Sequence, residues 1–407
     1  MTGRLVLVES NTTGTGRQFV RRGVEMGLRP VLLAADPDRY DLRDVVPESL
    51  RVDTNDPAAV ARACRGLGET AGIVSSSEYF VPVVAEVADR LGLPGPSADA
   101  VRVTRDKGRQ RRLLAVAGVP QPEFVIAGTP GEAREALVAT GLPAVVKPVT
   151  GSGSIGVLLC RTSDEVTGHA ERLLTVTHNE RGHRIPARVL VEQAVTGPEF
   201  SVEVFGGQVV GITRKHLGRL PRFVETGHDF PAPVGRSRGD RLTAVALAAT
   251  RALGLDFGAA HVEVRESAAG PVVVEVNPRL AGGLIPRLVA EATGVDLITA
   301  TLLAAVGEPP RLTADRARSA SIRFVVAPRG GTLSEVRGAA AARRQPQVIE
   351  VDIYRPDNTP VSVTGDFRDR LGHVLAVADR AALAEAAADS AIRLIKPVVS
   401  AARVAAR

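Results

Sequence analysis

The chain is poor in cysteine and in aromatic residues, and it contains no tryptophan. Its 407 residues include 2 cysteines, and 3% of the residues are aromatic. Cys64 and Cys160 alone cannot build a disulfide framework or a thiolate metal site, which favours a reducing, cytoplasmic location. Scarce aromatic side chains leave few platforms for stacking bases, so the net charge of +6 does not indicate a nucleic-acid partner.

Long hydrophobic runs are also missing from the sequence. No apolar stretch reaches the roughly 18 residues that a membrane-spanning helix needs, so no membrane association is expected. The N-terminal MTGRLVLVESN enters a strand without a signal-peptide pattern. With 44% hydrophobic and 24% charged residues the composition is that of a globular protein, and the length predicts two or three domains.

Two segments rich in proline and glycine divide the chain. LGLPGPSADA at 91–100 and EPPR at 308–311 are typical of domain boundaries. Before the first boundary, strand-like and helix-like segments alternate, which predicts a doubly wound parallel sheet. The predicted units are an N-terminal α/β domain (1–98), a central domain (99–308, with subdomains at about 119–190 and 191–308) and a small C-terminal α+β domain (309–407).

Two glycine-containing loops are candidates for phosphate binding. SNTTGTGRQ at 10–18 lacks the full spacing of a dinucleotide-binding motif and is interpreted as a tight turn. TGSGSIGV at 150–157 lies between two strand-like segments and follows Lys147 in VVKP. Small residues let backbone N–H groups approach phosphate oxygens, and a lysine that ends an apolar strand can neutralise phosphate charge. A solvated lysine beside a flexible hairpin is the alternative for Lys147.

Two carboxylates lie inside valine-rich segments of HVEVRESAAGPVVVEVNPRLAGG, at 261–283. Glu263 and Glu275 each stand between valines, and Asn277 shares a strand face with Glu275. Mg²⁺ prefers oxygen ligands and usually takes one or two carboxylates together with phosphate oxygens. These three residues are therefore candidate metal ligands, and a solvated sheet face is the alternative.

Taken in order, these segments resemble the ATP-grasp superfamily, and within it the carboxylate–amine ligases that include bacterial L-amino acid (dipeptide) ligases. RDKGRQRRLLAVAGVPQP resembles the entry helix, and VVKP with TGSGSIG resembles the second lysine and the loop that covers the phosphates. VEQAVTGPEFSVEV resembles the adenine hinge, and VEV…VEVNPRLAGG the metal segment. The resemblance covers the whole chain and implies an ATP-grasp fold that mixes α/β and α+β parts.

The resemblance implies a site for ATP and Mg²⁺, with Mn²⁺ as an expected substitute. Within it, Glu192, Gln193 and Val195 would meet adenine, and Glu199 would meet the ribose. His261 would touch phosphate or serve as a structural histidine. The residues implied for the nucleotide are Lys107, Lys147, Gly151, Ser152, Gly153, Ser154, Gly156, Glu192, Gln193, Val195, Glu199 and His261.

The implied reaction has two steps. A substrate carboxylate attacks the γ-phosphate of ATP to give an acyl phosphate, and an amine then displaces phosphate from the carbonyl. Positioning and neutralisation of charge would supply the catalysis. The implied catalytic residues are Lys147, His228, Arg279 and Gly283, and the implied substrate-binding residues are Glu225, His228, Arg279, Gly282 and Gly283.

Two other functions remain open at this stage. One is a biotin-carboxylase-like enzyme that uses bicarbonate, although the C-terminal segment has no evident biotin-bearing lysine motif. The other is a nucleotide-binding protein without catalysis, which the intact set of lysine, glutamates, asparagine and arginine disfavours. The implied partners are small carboxylate and amine substrates, and a homodimer is expected because dimers are common in the family. The sequence identifies neither substrate.

Overall fold

The computed structural model describes residues 3–11, 16–40, 42 and 48–400. Within those residues the chain forms four sheets, and helices cover them. The turn predicted in SNTTGTGRQ at 10–18 lies partly outside the described residues, because residues 12–15 are not among them.

The N-terminal part is the predicted parallel sheet with helices on both faces. Leu5 and Leu7 pack on one side of the sheet and Val6 and Val8 on the other, in two separate hydrophobic clusters. Burial of both faces explains why the segment from Leu5 to Val8 is continuously apolar. The strands, in the spatial order β3-β2-β1-β4, and the helices are β1 (Arg4–Val8), α1 (Gly16–Glu25), β2 (Arg29–Ala34), β3 (Glu48–Arg51), α2 (Pro57–Leu67), β4 (Thr70–Val74) and α3 (Val81–Leu91).

A second, antiparallel sheet carries the glycine-rich loop. Residues 150–157 connect two of its paired strands, so the predicted strand–loop–strand arrangement is confirmed. The elements, with the strands in the spatial order β5-β8-β6-β7, are α4 (Ala98–Arg105), α5 (Lys107–Val116), β5 (Phe124–Ala127), α6 (Pro130–Glu135), α7 (Leu137–Thr140), β6 (Ala144–Pro148), β7 (Leu158–Cys160), α8 (Ser163–Leu174) and β8 (Val189–Gln193).

The largest sheet has eight antiparallel strands and continues across the predicted boundary at 308–311. Three of its strands come from the C-terminal part of the chain. Its elements before that boundary are β9 (Glu199–Phe205), β10 (Gln208–Leu217), β11 (Glu225–Phe230), α9 (Arg236–Ala252), β12 (Ala259–Ser267), β13 (Gly270–Asn277), α10 (Ile285–Thr293) and α11 (Leu297–Ala305).

The C-terminal part completes this sheet and adds a small three-stranded sheet. The elements are β14 (Ser319–Val326), β15 (Gly331–Arg337), α12 (Ala339–Arg343), β16 (Val348–Ile353), β17 (Thr359–Val361), β18 (Arg370–Ala378), α13 (Ala381–Leu394) and β19 (Lys396–Ser400). The large sheet has the order β13-β12-β9-β10-β11-β14-β18-β16, and the small one β17-β15-β19.

Alternation along β9 and β12 separates a hydrophobic core from a polar face. Phe200, Val202 and Val204 of β9 pack with Val262 and Val264 of β12 in the cluster beneath α9. Successive side chains of a strand point to opposite faces, so the glutamates between these residues lie on the other side of the sheet. The core thus fixes the direction of the candidate metal ligands.

The sequence of residues 285–307 has a helical pattern throughout and predicts one helical stretch, but the structure forms two helices there. Gly294 adopts φ +82° and ends α10, and the Asp296 side chain caps α11. A left-handed glycine followed by a capping aspartate stops one helix and starts the next. Among the described residues no single helix is long and apolar enough to cross a membrane. The pair α10 and α11 reaches that length and hydropathy only when taken together, and the two helices are bent by 104° relative to each other.

Arg111 on α5 joins three elements from inside the protein. It is 1% exposed, donates to Glu192 on β8 over 2.5 Å, and donates to the Val273 and Val274 carbonyl oxygens over 3.0 and 2.5 Å. We expect Arg111→Ala to lower the free energy of unfolding by about 3–5 kcal/mol, because Glu192 then keeps a buried charge with one partner fewer. Thermal unfolding measures the effect.

Arg109, on the exposed side of the same helix, provides the matched control. Its side chain is 60% exposed and reaches Asp106 at 3.8 Å. We expect Arg109→Ala to change stability by no more than about 0.5 kcal/mol. Equal melting temperatures for the two variants would show that Arg111 does not hold these elements together.

Candidate active site

A cleft opens between the glycine-loop sheet and the eight-stranded sheet. Apolar side chains such as Val145, Leu159 and Phe223 form part of its wall. Among the described residues, the charged ones that line it are Lys107, Lys147, Lys215, Arg265 and Arg279 on the basic side and Glu192, Glu199, Glu225, Glu263 and Glu275 on the acidic side. Their formal charges cancel, so each buried ion has an opposite charge close to it.

Lys147 at the end of β6 is paired with Glu192 on the adjacent strand. The Lys147 Nζ lies 2.6 Å from Glu192 Oε2, and Arg111 holds the other oxygen of the same carboxylate. Burial lowers the pKa of Lys147, and the Glu192 charge opposes that shift. The Glu192 side chain therefore lies between two cations at the wall of the cleft, and its contact with adenine stays a prediction.

Lys107 bridges the glycine-rich loop and the strand that carries Glu275. Its Nζ donates to the Gly151 carbonyl oxygen over 2.9 Å and lies 3.1 Å from Glu275 Oε1. Asp106 caps α5 by accepting from the Gly108 and Arg109 N–H groups, which fixes Lys107 at the start of the helix. Burial raises the pKa of Glu275, but Lys107 outweighs it and the pKa is lowered.

Lys215 on β10 is the centre of the acidic side of the cleft. Its Nζ lies 2.7 Å from Glu199, 2.9 Å from Glu225 and 2.8 Å from Glu263. Burial lowers the pKa of Lys215, but the three carboxylates raise it well above its usual range. Burial alone would raise the pKa of Glu263, and Lys215 reverses that shift, so Glu263 is ionised at neutral pH.

The candidate metal ligands share one face of β12 and β13. Glu263 lies directly opposite Glu275, and His261 lies opposite Asn277. His261 Nε2 is 3.3 Å from Asn277 Nδ2 and 3.6 Å from Glu263 Oε1. The structure therefore brings Glu263, Glu275 and Asn277 together, with His261 buried beside them.

His228 and Gly283 lie beneath the cleft rather than on its wall. His228 is fully buried, and burial lowers its pKa to about 3, so the imidazole is neutral at pH 7. A Cβ on Gly283 would come within 2.4 Å of His228 Nε2, and Gly283 has φ +60°, so both space and backbone favour glycine. Glu225 connects this group to the cleft, with Oε2 at 3.5 Å from His228 Nε2.

Most of the residues implied by the resemblance line the cleft. The structure places there Lys107, Lys147, Gly151, Ser152, Gly153, Ser154, Glu192, Gln193, Val195, Glu199, Glu225, Glu263, Glu275, Asn277 and Arg279. The residues that do not line it are Gly156, His228, His261, Gly282 and Gly283.

Several site residues were missed by sequence reasoning. Arg265 donates to Glu199 over 2.9 Å and to the Val195 carbonyl oxygen over 2.9 Å, and so ties the predicted ribose residue to the hinge. Arg370 on β18 lies 2.5 Å from Glu225. Lys215 and Arg265 stood in the sequence as single basic residues within strands, a pattern that also fits a solvated face. Arg370 comes from a distant segment and gave no local signal.

Known protein families match two parts of the chain. Residues 140–287 match the ATP-grasp domain, and residues 323–400 match the L-amino acid ligase C-terminal domain 2. An uncharacterised protein of Sinorhizobium fredii, y4rH, is 39% identical over 397 residues, which are 96% of this chain and 82% of that protein.

More distant relatives include enzymes with named activities. Carnosine synthase 1 of Gallus gallus is 29% identical over 358 residues, which are 80% of this chain and 38% of that longer protein. The crystal structure of an L-amino acid ligase from Bacillus licheniformis superposes with a TM-score of 0.83 at 21% identity, covering 98% of this chain and 99% of that one. That likeness confirms the fold. The chain belongs to the ATP-grasp superfamily and is an ATP-dependent, ADP-forming carbon–nitrogen ligase related to the L-amino acid ligases, as its motifs predicted.

Proposed function

We propose that the protein joins the carboxylate of one amino-acid-like substrate to the amine of another, through an acyl phosphate and with release of ADP and phosphate. The observation that carries the proposal is the cleft in which Lys107, Lys147 and Lys215 face buried carboxylates. The match of 323–400 to an L-amino acid ligase domain supports amino-acid-like substrates over bicarbonate. A biotin-carboxylase-like activity is therefore not our proposal.

The nucleotide would occupy the cleft with its phosphates under the loop at 150–157. Lys107 and Lys147 would neutralise phosphate charge, and the Gly151–Gly153 backbone would approach the phosphate oxygens. Gln193 and Val195 would contact adenine, and Glu199, held by Arg265, would accept from the ribose hydroxyls. ATP is the nucleotide that the superfamily uses, and Mn²⁺ in place of Mg²⁺ belongs to the proposal.

The donor set on β12 and β13 fits Mg²⁺. Glu263 and Glu275 offer ionised oxygens and Asn277 a neutral one, which is the ligand chemistry that Mg²⁺ prefers. No cluster of three or more histidine, cysteine, aspartate or glutamate side chains suited to a metal occurs among the described residues, so the ion would share phosphate oxygens as ligands. When bound, Mg²⁺ would neutralise charge on the phosphates during transfer.

The remaining steps depend on side chains that position the reacting groups. Arg279 would bind the substrate carboxylate and then the acyl phosphate, because its planar guanidinium matches both. Glu225, whose pKa is lowered because Lys215 and Arg370 outweigh burial, would hold a substrate ammonium group. The neutral His228 beneath it would support Glu225 and Gly283 at the reacting carbonyl.

Three parts of the proposal concern the protein as a whole. The three predicted domains would act as one unit, since the eight-stranded sheet continues across 308–311. A homodimer and a cytoplasmic location are also proposed, on the family resemblance and on the two buried free cysteines, Cys64 and Cys160. Analytical ultracentrifugation measures the oligomeric state.

ATP and Mg²⁺ together should stabilise the protein more than either alone. Mg²⁺ supplies positive charge for the ATP phosphates, and the phosphates supply negative charge for Mg²⁺. Both are needed because the charged side chains of the cleft already cancel one another. At one hundred times the dissociation constant, MgATP should raise the free energy of unfolding by about 2.7 kcal/mol. Thermal unfolding with ATP, with Mg²⁺ and with both measures this, and identical curves would rule out the nucleotide site.

Glu275→Gln should preserve the fold and remove most of the activity. The substitution is nearly isosteric but removes one negative charge from the proposed metal site. Glu263→Gln should act in the same way, and the double variant should lose less than the product of the two single losses, because both residues serve one ion. Steady-state ADP formation across a Mg²⁺ titration measures the effect, with circular dichroism as the check on folding.

Glu266 on β12, the strand of Glu263, is the matched control, since it pairs with Arg238 and with Arg241 and does not line the cleft. Glu266→Gln should leave the Mg²⁺ dependence of ADP formation unchanged. A folded Glu275→Gln protein with normal turnover at low Mg²⁺ would exclude Glu275 as a metal ligand.

The ligase itself is tested by pairing amino acids. The purified protein is incubated with MgATP and pairs of amino acids, phosphate release is measured, and the product mass is determined. We expect phosphate release only when both substrates are present, with a product that is one water lighter than the sum of the pair. ADP release that never yields an amide would instead favour a different acceptor, and a complete absence of turnover would favour a non-catalytic nucleotide-binding protein.

A further inference from the structure

Glu78 is a buried carboxylate from the N-terminal domain that reaches the candidate acyl site. It follows β4 in the segment SSSEYF and is 5% exposed. Its Oε2 accepts from Arg279 and from the Ser152 hydroxyl, and its Oε1 lies against Arg105. One side chain therefore contacts the candidate substrate arginine, the glycine-rich loop and the end of α4.

The contact with Glu78 restricts Arg279 to one orientation. Arg279 Nε donates to Glu78 Oε2 over 2.8 Å, Nη2 donates to the same oxygen, and Nη1 donates to the Leu280 carbonyl oxygen over 2.8 Å. A guanidinium has five N–H groups, so one remains on Nη1, and the second one on Nη2 donates to Ser152 Oγ over 3.4 Å. These two groups would form a fork that binds a carboxylate or phosphate in a bidentate manner, with the ligand replacing Ser152 Oγ at Nη2.

Glu78 also holds the glycine-rich loop. The Ser152 hydroxyl donates to Glu78 Oε2 over 2.5 Å, and Ser152 Oγ lies 3.4 Å from Arg279 Nη2. One residue further, the Gly153 carbonyl oxygen accepts from the Phe367 N–H over 3.3 Å. The loop thus contacts the N-terminal domain through Glu78 and the C-terminal part of the chain through Phe367.

Two arginines contact the carboxylate of Glu78. Arg105 and Arg279 share its single carboxylate, and Arg105 also lies 5.8 Å from the centre of the Tyr79 ring. Burial lowers the pKa of Arg105 to about 10, so it still carries its charge at pH 7. Glu275 also acts on both arginines at longer range and raises the pKa of each against the lowering by burial.

We propose that Glu78 is a positioning residue that aligns the Arg279 fork and fixes Ser152 at the same time, so that closure of the 150–157 loop and assembly of the acyl site are coupled. The part that concerns Arg279 rests on the proposed function, whereas the contact with the loop does not depend on any reaction. The N-terminal domain would thereby supply a residue that the nucleotide site needs.

The test uses the full-length protein with three variants at the two ends of the contact. Glu78→Gln keeps the volume and removes the charge, Glu78→Asp keeps the charge and shortens the side chain, and Ser152→Ala removes the hydroxyl of the loop. Two properties are measured: kcat and KM for ATP with a productive substrate pair, and amide hydrogen exchange of residues 150–157 without nucleotide.

We expect Glu78→Gln to lower kcat by about 10²-fold, the loss typical of a misplaced reacting group, with little change in KM for ATP. Glu78→Asp should retain more activity than Glu78→Gln, because the charge orients Arg279. If Glu78 served packing alone, Glu78→Gln should retain more activity than Glu78→Asp, because glutamine matches glutamate more closely in volume. Exchange of 150–157 should accelerate in Glu78→Gln and in Ser152→Ala, and the double variant should exchange no faster than the faster single variant.

Glu86 in the same domain is the control. It lies on α3 and pairs with Arg90 at 2.6 Å, away from the cleft. Glu86→Gln should match the wild type in kcat and in exchange. Wild-type kcat in Glu78→Gln, or unchanged loop exchange in both Glu78→Gln and Ser152→Ala, would overturn the proposal. If Glu78→Gln does not fold, Ser152→Ala decides, and normal exchange in that variant counts against the coupling.

The two proposals fail in different ways. If no substrate pair gives an amide in the wild type, the proposed ligase reaction is wrong, and loop exchange alone still tests Glu78. If the wild type forms an amide and Glu78→Gln behaves like it, the reaction stands and the positioning role of Glu78 is wrong.

Discussion

The structure depends on the pairing of buried carboxylates with buried lysines and arginines around one cleft. Each charge costs several kcal/mol to bury alone, and an opposite charge at hydrogen-bonding distance offsets that cost. Glu192 between Arg111 and Lys147, and Lys215 among three glutamates, are the main examples. Each of these buried ions therefore has a partner of opposite charge within the protein.

This pairing also explains why distant parts of the chain meet at the site. Glu78 comes from the segment between β4 and α3 in the N-terminal part of the chain, and Arg370 from β18 in the C-terminal part of the large sheet. Each reaches the cleft as the partner of an oppositely charged residue from the central domain, Arg279 and Glu225 respectively. The N-terminal and C-terminal parts of the chain therefore each supply a charged partner to the site.

Features that depend on neighbouring residues could be predicted from the sequence. The parallel N-terminal sheet, the glycine-rich loop between β6 and β7 and the strand pair that carries Glu263 and Glu275 follow from alternation, turn residues and contiguous motifs. The break between α10 and α11 was missed because a single glycine within a helical pattern is compatible with a continuous helix. Glu78 and Arg370 gave no signal, since their meaning depends on partners far away in the chain.

The sequence by itself determined the family, the order of the motifs and the residue types available to the site; the register of the strands was decided only in the tertiary structure. Pairing outward from the turn at Ser267–Gly270 would place Val274 opposite Glu263, and a one-residue register shift places Glu275 there instead. A similar shift after Val209 sets Lys215, rather than Arg214, opposite Glu199. A shift of one residue moves every following side chain to the other face of a strand, and packing against α9 selects the register that buries the valines and turns the charges toward the cleft.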